Sequence, residues 1–320
     1  MKRFSNSSGV ALLTVLLLIL VMSFLAIQVT QILFKDISNS KNVEFNNLSN
    51  IYLDFLQSHF LDVFGKSITQ NQSRINKSTV SAINDYSLEF QGYQANFEIK
   101  DLSNCFNINS LFLERNGKLV VNQKTLLFFK KLLETMELDE AEVDTISDKI
   151  IDWVDEDNLP RAYGAENYFY TGPANKTPRF TPKRLFFNAS ELRQLSAFSN
   201  LYEIMQKSIC VIPYSNAFLV NLNTLDARNA ELFSIFLKTP ELETAESIIS
   251  RIPLEGYENP QDFINTETDL FYAEYINYLV TDSNALSLAI TIDSGFTSAT
   301  YVSLMILNDN SISILDTFKK

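Results

Sequence analysis

The chain has 320 residues, 46% of them hydrophobic and 20% charged, and a formal net charge of −12. That is a globular composition with room for one large domain or two ordinary ones, and only 8 Gly and 8 Pro exclude a low-complexity chain. The acidic balance, with no Lys/Arg cluster longer than a pair, would repel a phosphate backbone and favours hard, oxygen-liking cations such as Ca²⁺.

The N-terminus reads MKRFSNSSGVALLTVLLLILVMSFLAIQV. Val10 to Ile27 is uncharged and long enough for a transmembrane helix. A cleaved secretory signal would be shorter and would end in a small-x-small site, which FLAIQVTQILF lacks. Lys2 and Arg3 precede the run and no charge follows until Lys35, so the N-terminus belongs in the cytoplasm and the bulk outside. Leu48, Ile51, Tyr52, Phe55, Leu56 and Phe60 recur at spacings of three and four, and no Gly or Pro occurs from Val10 to Val63. One helix running from the bilayer into the soluble part is therefore expected. His59 sits in that pattern as an ordinary helix residue, and as the sole histidine it excludes a multi-His zinc site.

Residues 67–85 read as a polar connection, and the alternation at Tyr93, Ala95, Phe97 and Ile99 as one or two strands. Thr125 to Val154 is helical, with Asp139 and Glu142 at capping-box spacing. Residues 155–180 are loop-like. Helices are expected again within 191–209, 225–237, 239–252 and 259–279, with a strand and turn over 210–224. Asn223 or Thr224 can cap the helix that follows. The end, 285–318, is rich in β-branched and aromatic residues and reads as strands. Strands early and late with helices between them describe an α+β fold carrying a helical insertion. No repeat of fixed period is visible, although the two helical blocks can be related small units.

Asp155 and Asp157 stand two apart in a loop, and Glu166 lies nine residues on, where it can close a cation shell bidentately. The EF-hand pattern is excluded, because Pro160 stands where that loop needs Gly. A solvated acidic loop is the alternative. Asp152 and Trp153 are read as structural, with Trp153 on the apolar face of its helix. Asp155 with Glu166 can also be read as an acid/base pair of a membrane-anchored hydrolase, but no second catalytic signature accompanies them. Cys105 and Cys210, in a chain that reads as exported, point to one disulfide at the junctions of the insertion. Two buried free thiols are the alternative.

Basic residues, a glycine and an apolar helix that continues into a soluble domain resemble a type IV prepilin or pseudopilin signal. The interior sharpens this: Phe106-Asn107-Ile108-Asn109, Asp152-Trp153-Val154-Asp155-Glu156-Asp157, Gly164-Ala165-Glu166, Glu191-Leu192-Arg193 and Val220-Asn221-Leu222-Asn223-Thr224 occur in the order seen in the GspK family. These are the large minor pseudopilins of type II secretion. The resemblance implies cleavage by the prepilin peptidase between Gly9 and Val10, leaving Val10 as the mature N-terminus. It places Thr14 fifth from that cut, where most pilin-like proteins carry a glutamate that pairs with the terminal amine of the subunit above. A neutral threonine suits a subunit with nothing above it; in a non-pilin anchor it would be an ordinary helix residue.

The resemblance further implies a pilin-like long N-terminal helix packed on a β-sheet with a large all-α, SAM-like domain inserted. The corresponding segments are 1–9 leader, 10–27 transmembrane helix, 28–105 first pilin-like segment, 106–210 inserted helical domain, 211–285 second helical unit and 286–320 last strands. It implies an inner-membrane protein, bulk in the periplasm, that caps the pseudopilus tip with GspI and GspJ and has no enzymatic activity. Calcium in the Asp155, Asp157, Glu166 region follows from the same resemblance, with Asn167 and Asn175 as further oxygen donors; Asn167 departs from the Asp often found there. The strand–cap–helix–helix run from Val220 also looks like a helix-hairpin-helix nucleic-acid module, the alternative function. FLKTPELE has no glycine and two glutamates at the hairpin, so nucleic acid is not expected as a partner.

Overall fold

The computed structural model describes residues 7–70, 74–173, 177–195, 198, 207–213, 215–267, 270–308 and 311–320. Helix α1 runs unbroken over Ser7–Phe60 and continues through a π turn, Leu61–Gly65, into α2, Lys66–Gln70. From Val10 to Val63 no Gly or Pro interrupts it, which lets it propagate. Its apolar side chains from Leu12 to Ile37 are exposed, whereas Phe45, Ser49, Leu53, Leu56 and Phe60 are buried at helical spacing. Those five residues pack on a five-stranded antiparallel sheet of order β1-β2-β9-β10-β11: β1 Ser87–Phe90, β2 Tyr93–Asp101, β9 Ala285–Asp293, β10 Ser298–Asn308 and β11 Ser311–Lys319. Alternation puts Phe97, Ile99, Leu288, Ile290, Tyr301 and Met305 on the helix side.

Contacts along α1 fix the sheet's direction. Phe296 lies near Lys41, Tyr301 near Ser49 and Asn50, Ser303 near Gln57, and Ile312 near Gly65. The β9–β10 turn therefore faces the apolar end of α1, and the junction of β2 with β9 faces away from it. Residues 102–284 leave and re-enter the sheet at that far junction, between two adjacent strands. They hold a second, separate apolar core that runs from Phe106 to Leu279, across the 210/211 position.

Two units within this segment share a plan. In one, β3 (Phe106–Asn107) pairs in parallel with β6 (Ile209–Cys210); in the other, β7 (Val220–Asn221) pairs in parallel with β8 (Leu279–Val280). Asn107 and Asn221 each accept from the amide two residues on. Asn109 clasps the backbone N–H and C=O of Phe186, and Asn223 clasps those of Tyr257. Asn188 and Asn259 then cap the next helical turn. The units differ between the second helix and the clasp. Helix Leu242–Arg251 reaches Tyr257 in a tight turn, whereas the first unit's α4, Gln123–Thr135, and α5, Glu140–Val154, are followed by an excursion that returns only at Phe186.

The capping box at Asp139 and Glu142 is present. The expected cap at Asn223 or Thr224 is not. Asn221 caps the 3-10 turn Leu222–Thr224 and Asp226 caps the next, because Asn223 is spent on Tyr257 and Thr224 on Asp101. Residues 67–85 are not merely a connection: Asn76 caps a helix α3, Lys77–Asn84. The expected 191–209 helix is a 3-10 turn, Ala189–Gln194, in its described part; 196–197 and 199–206 lie outside the described residues.

The junction is held by Asp101, the last residue of β2. Its carboxylate accepts from Ser103 N (2.8 Å), Asn221 Nδ2 (2.8 Å), Thr224 Oγ1 (2.7 Å) and Ser283 Oγ. The Cys105–Cys210 disulfide, Cα–Cα 5.7 Å, sits beside it and joins the strand entering the first helical unit to the one leaving it. Hydrogen bonds to a charged acceptor contribute about 1.5–3 kcal/mol each. Asp101→Ala should therefore lower the unfolding free energy by about 3 kcal/mol in a denaturant titration of the full chain. A loss below about 0.5 kcal/mol would contradict the role given to this carboxylate.

Candidate metal centre

The capping box starts α5 and the helix ends at Val154, with Asp155 as its C-cap in extended conformation. The turn at Asp155 aims its carboxylate inward. Asp155, Asp157 and Glu166 bring carboxylate oxygens within 4.8 Å of one another. Glu166 is 1% exposed, and neither of its oxygens has a hydrogen-bond partner; Asp155 Oδ1 is likewise buried without one. Orphaned buried acceptors are rare in folded proteins and costly. Asp157, at the exposed rim, accepts from Leu159 N at 2.8 Å.

Burial, then the Asp157, Asp152 and Glu166 charges, push the Asp155 carboxyl up to about 7, with Arg161 opposing. Burial also raises Glu166, against the Lys183 ammonium. Asp152, fully buried, is raised mainly by burial, although it accepts from Arg161 N at 3.1 Å. It buttresses the loop from behind. A Cβ on Gly164 would come within 1.9 Å of its Oδ2, so only glycine fits there. Tyr170 packs edge-on against Trp153 at 5.0 Å, and burial beside Asp152 and Glu166 raises its hydroxyl above the ordinary value. Trp153 is 4% exposed on the core face of α5.

Three convergent carboxylates with unpartnered oxygens are the donor set of a hard cation. Oxygen-only ligands and a partly irregular loop fit Ca²⁺ better than the rigid octahedron of Mg²⁺ or the nitrogen and sulfur shell of Zn²⁺. The convergence is ion-sized rather than substrate-spanning, which disfavours the acid/base reading of Asp155 and Glu166. Asn167 is not free to join: its amide oxygen accepts from Thr181 N at 2.7 Å and Thr181 Oγ1 at 2.9 Å. Asn175 lies outside the described residues.

Lys183 was not expected. Its ammonium donates to the carbonyls of Glu156 (3.1 Å) and Asp157 and to Asn158 Oδ1 (2.7 Å), pinning the loop that carries Asp157. No spacing rule points to it, because it lies across the excursion from the loop it holds. The remaining expected residues lie apart from this centre. Cys105 and Cys210 are bonded at the junction. Gly9, Val10 and Thr14 lie in the first turns of α1.

The family described as type II secretion system (T2SS), protein K, matches residues 104–214, a stretch that contains the whole carboxylate cluster. The type II secretion system protein K of Aeromonas hydrophila is 26% identical over 265 residues, 80% of this chain and 79% of the relative. That of Pectobacterium carotovorum is 29% identical over 164 residues, 50% of this chain and 49% of the relative. A crystal structure of the GspK–GspI–GspJ complex from enterotoxigenic Escherichia coli contains a chain of the same fold, with TM-score 0.75 at 18% identity over 88% of this chain and 99% of that one.

A carboxyl raised in the folded state holds a proton that the unfolded chain releases. In the metal-free protein the raised Asp155 thus withdraws stability as pH climbs from about 4 toward 7, and no further above it. In chelator, melting temperature should rise when pH is lowered from 7.5 to 5.5, and Asp155→Asn should flatten that rise. The same pH dependence in both proteins would contradict this assignment.

Proposed function

We propose that this chain, a member of the type II secretion system protein K family, is a non-enzymatic minor pseudopilin that caps the tip of the periplasmic pseudopilus and helps to start its assembly. The observation that carries this reading is the position of residues 102–284 on the sheet end that faces away from the membrane-spanning part of α1. A filament of packed α1 helices grows by stacking each subunit's head below the one before. A head enlarged on its outward side leaves no seat for a subunit above it. Thr14 agrees with this, because it offers no carboxylate to a terminal amine above. A buried carboxylate there would cost about 2.5–3.5 kcal/mol on insertion, and a subunit without an upper neighbour gains nothing from it.

In this reading the prepilin peptidase cuts between Gly9 and Val10, α1 anchors the protein once in the inner membrane with the bulk in the periplasm, and the partners are the GspI- and GspJ-type minor pseudopilins. The continuous helix supports a packing role, since a mere tether needs no rigid link to the domain. When the chain is produced with its prepilin peptidase and those two partners, its intact mass should begin at Val10 and the three should elute as one complex. A mass beginning at Met1, or a chain that elutes alone, would overturn the reading.

Calcium belongs to the same proposal. Asp155, Asp157 and Glu166 would hold it, Lys183 and Asp152 would keep the loop in place, and the ion would lock the excursion from 155 to 185 onto the first helical unit. The sole tryptophan, Trp153, stands two residues from Asp155 and can sensitise a bound lanthanide. Excitation of the indole should produce terbium luminescence that calcium displaces, and chelation should lower the melting temperature. Glu166→Gln should abolish the luminescence. Undiminished luminescence in that variant, or none in the parent chain, would contradict the site.

A further inference from the structure

The uncharged stretch of α1 does not stop at Ile27. It continues through Phe34 to the first charge at Lys35. Twenty-five residues from Val10 to Phe34 make about 37 Å of helix at 1.5 Å per residue, against a hydrocarbon thickness of about 30 Å. A span longer than the bilayer is accommodated by tilting, within the range of about 0–40°. Lys41 lies only seven positions beyond Phe34, about 10 Å of helix. The tilt that buries Phe34 therefore lowers one side of the head to the headgroup layer.

The side that carries the sheet has a particular end. Phe296 is the tip of the β9–β10 hairpin and is 91% exposed, more than any other large apolar side chain among the described residues. Its ring lies 5.3 Å from Lys41 Nζ, beside α1. Gly295, at φ +80, makes the tight turn that projects it. Lys319 donates to Asn46 Oδ1 at 2.6 Å and lies over the Tyr301 ring, and the Lys320 amide bonds Thr300 O at 2.9 Å. Both C-terminal lysines are thus fixed at this same end. Lys35, Lys41, Lys319 and Lys320 balance Asp36, Glu44, Glu89 and Asp293 here, in a chain of net charge −12. This end of the head thus lacks the acidic excess of the chain as a whole, which would oppose an anionic surface.

From the helix surplus, the projecting aromatic and the local charge we infer that the head of the anchored, unassembled protein rests on the bilayer, with Phe296 in the headgroup layer and Lys41 and Lys320 on lipid phosphate. An aromatic ring with flanking lysines is the composition of a membrane-interface contact. The occupant is an anionic phospholipid surface. The inference rests on the reading of α1 as the membrane anchor. It assigns a resting orientation from which the head must lift to enter a filament.

The test uses the full chain in phosphatidylethanolamine–phosphatidylglycerol vesicles that carry a headgroup-nitroxide lipid. Phe296→Trp places an indole at an exposed tip, where it leaves the fold alone, and Trp153 of the parent chain is the buried control. The new indole should be quenched at least twofold. Replacing the phosphatidylglycerol by phosphatidylcholine, or adding Lys41→Gln with Lys320→Gln, should at least halve that quenching. Leu20→Trp, quenched by lipids brominated on the acyl chains, reports the anchor separately. An unquenched Trp at 296 with a quenched Trp at 20 overturns this inference and leaves the anchor intact. Both unquenched would mean that the anchor reading has failed and the inference with it. A Trp at 296 that ignores vesicles but shifts to the blue when GspI- and GspJ-type partners are added also overturns it, in favour of a protein contact.

Discussion

Everything above the sheet depends on one closure: the chain leaves β2 at Asp101 and returns to its neighbour β9 at Ala285, so both ends of a large insertion must meet at one place. Three kinds of bond hold that place. Asp101 gathers partners from the start of the first unit, from the second unit and from the return to the sheet. Cys105–Cys210 closes the first unit covalently, which in a chain-entropy view removes about 4–5 kcal/mol worth of freedom from the unfolded state for a loop of this size. The N-terminus of α3 docks on the second unit through Ser78 N to Leu254 O and Lys77 Nζ to Ile249 O. Because α3 packs in the same core as α1, the orientation of the helical units is passed to α1 without a flexible joint among the described residues.

The two helical units differ in a way that would give the proposed cation a role in one of them only. In the second unit the turn from Ile252 to Gly256 leads directly to the clasp on Asn223, and Gly256 has no room for a Cβ against it. In the first, the path from Asp155 to Phe186 is long, and its described residues have little regular structure beyond α6, Asn167–Thr171. Such a loop has few backbone bonds of its own and a high entropy cost of ordering. Asp152, Gly164 and Lys183 define where it runs, but the carboxylates they bring together repel each other and stand partly unpartnered. The proposed divalent ion would turn that repulsion into a tie that the short loop does not need.

Much of this was legible in the sequence. The long helix, the early and late strands and the capped α5 follow from periodicity and spacing, because each rests on local rules that tertiary structure did not override, and the disulfide follows from two cysteines in a chain that reads as exported. The Asp155, Asp157 and Glu166 set was visible for the same reason, all three lying in one loop. The β4–β5 hairpin, Phe112–Arg115 with Lys118–Val121, went unread although Asn116-Gly117, both at positive φ, is a strong hairpin signal. Helix α3 was hidden by a polar composition that buries little besides Ile83. The asparagines of FNIN and VNLN carry a family pattern, but their clasps on Phe186 and Tyr257 join positions far apart in sequence, which no local rule gives. Lys183 and Asp101 were missed on the same account.

The central claim is that this subunit occupies one position, the tip. Quantitative mass spectrometry of sheared pseudopili fractionated by length measures it directly. The account predicts one copy of this chain per filament whatever the length, while the major subunit scales with length. A copy number that grows in proportion to filament length would contradict it.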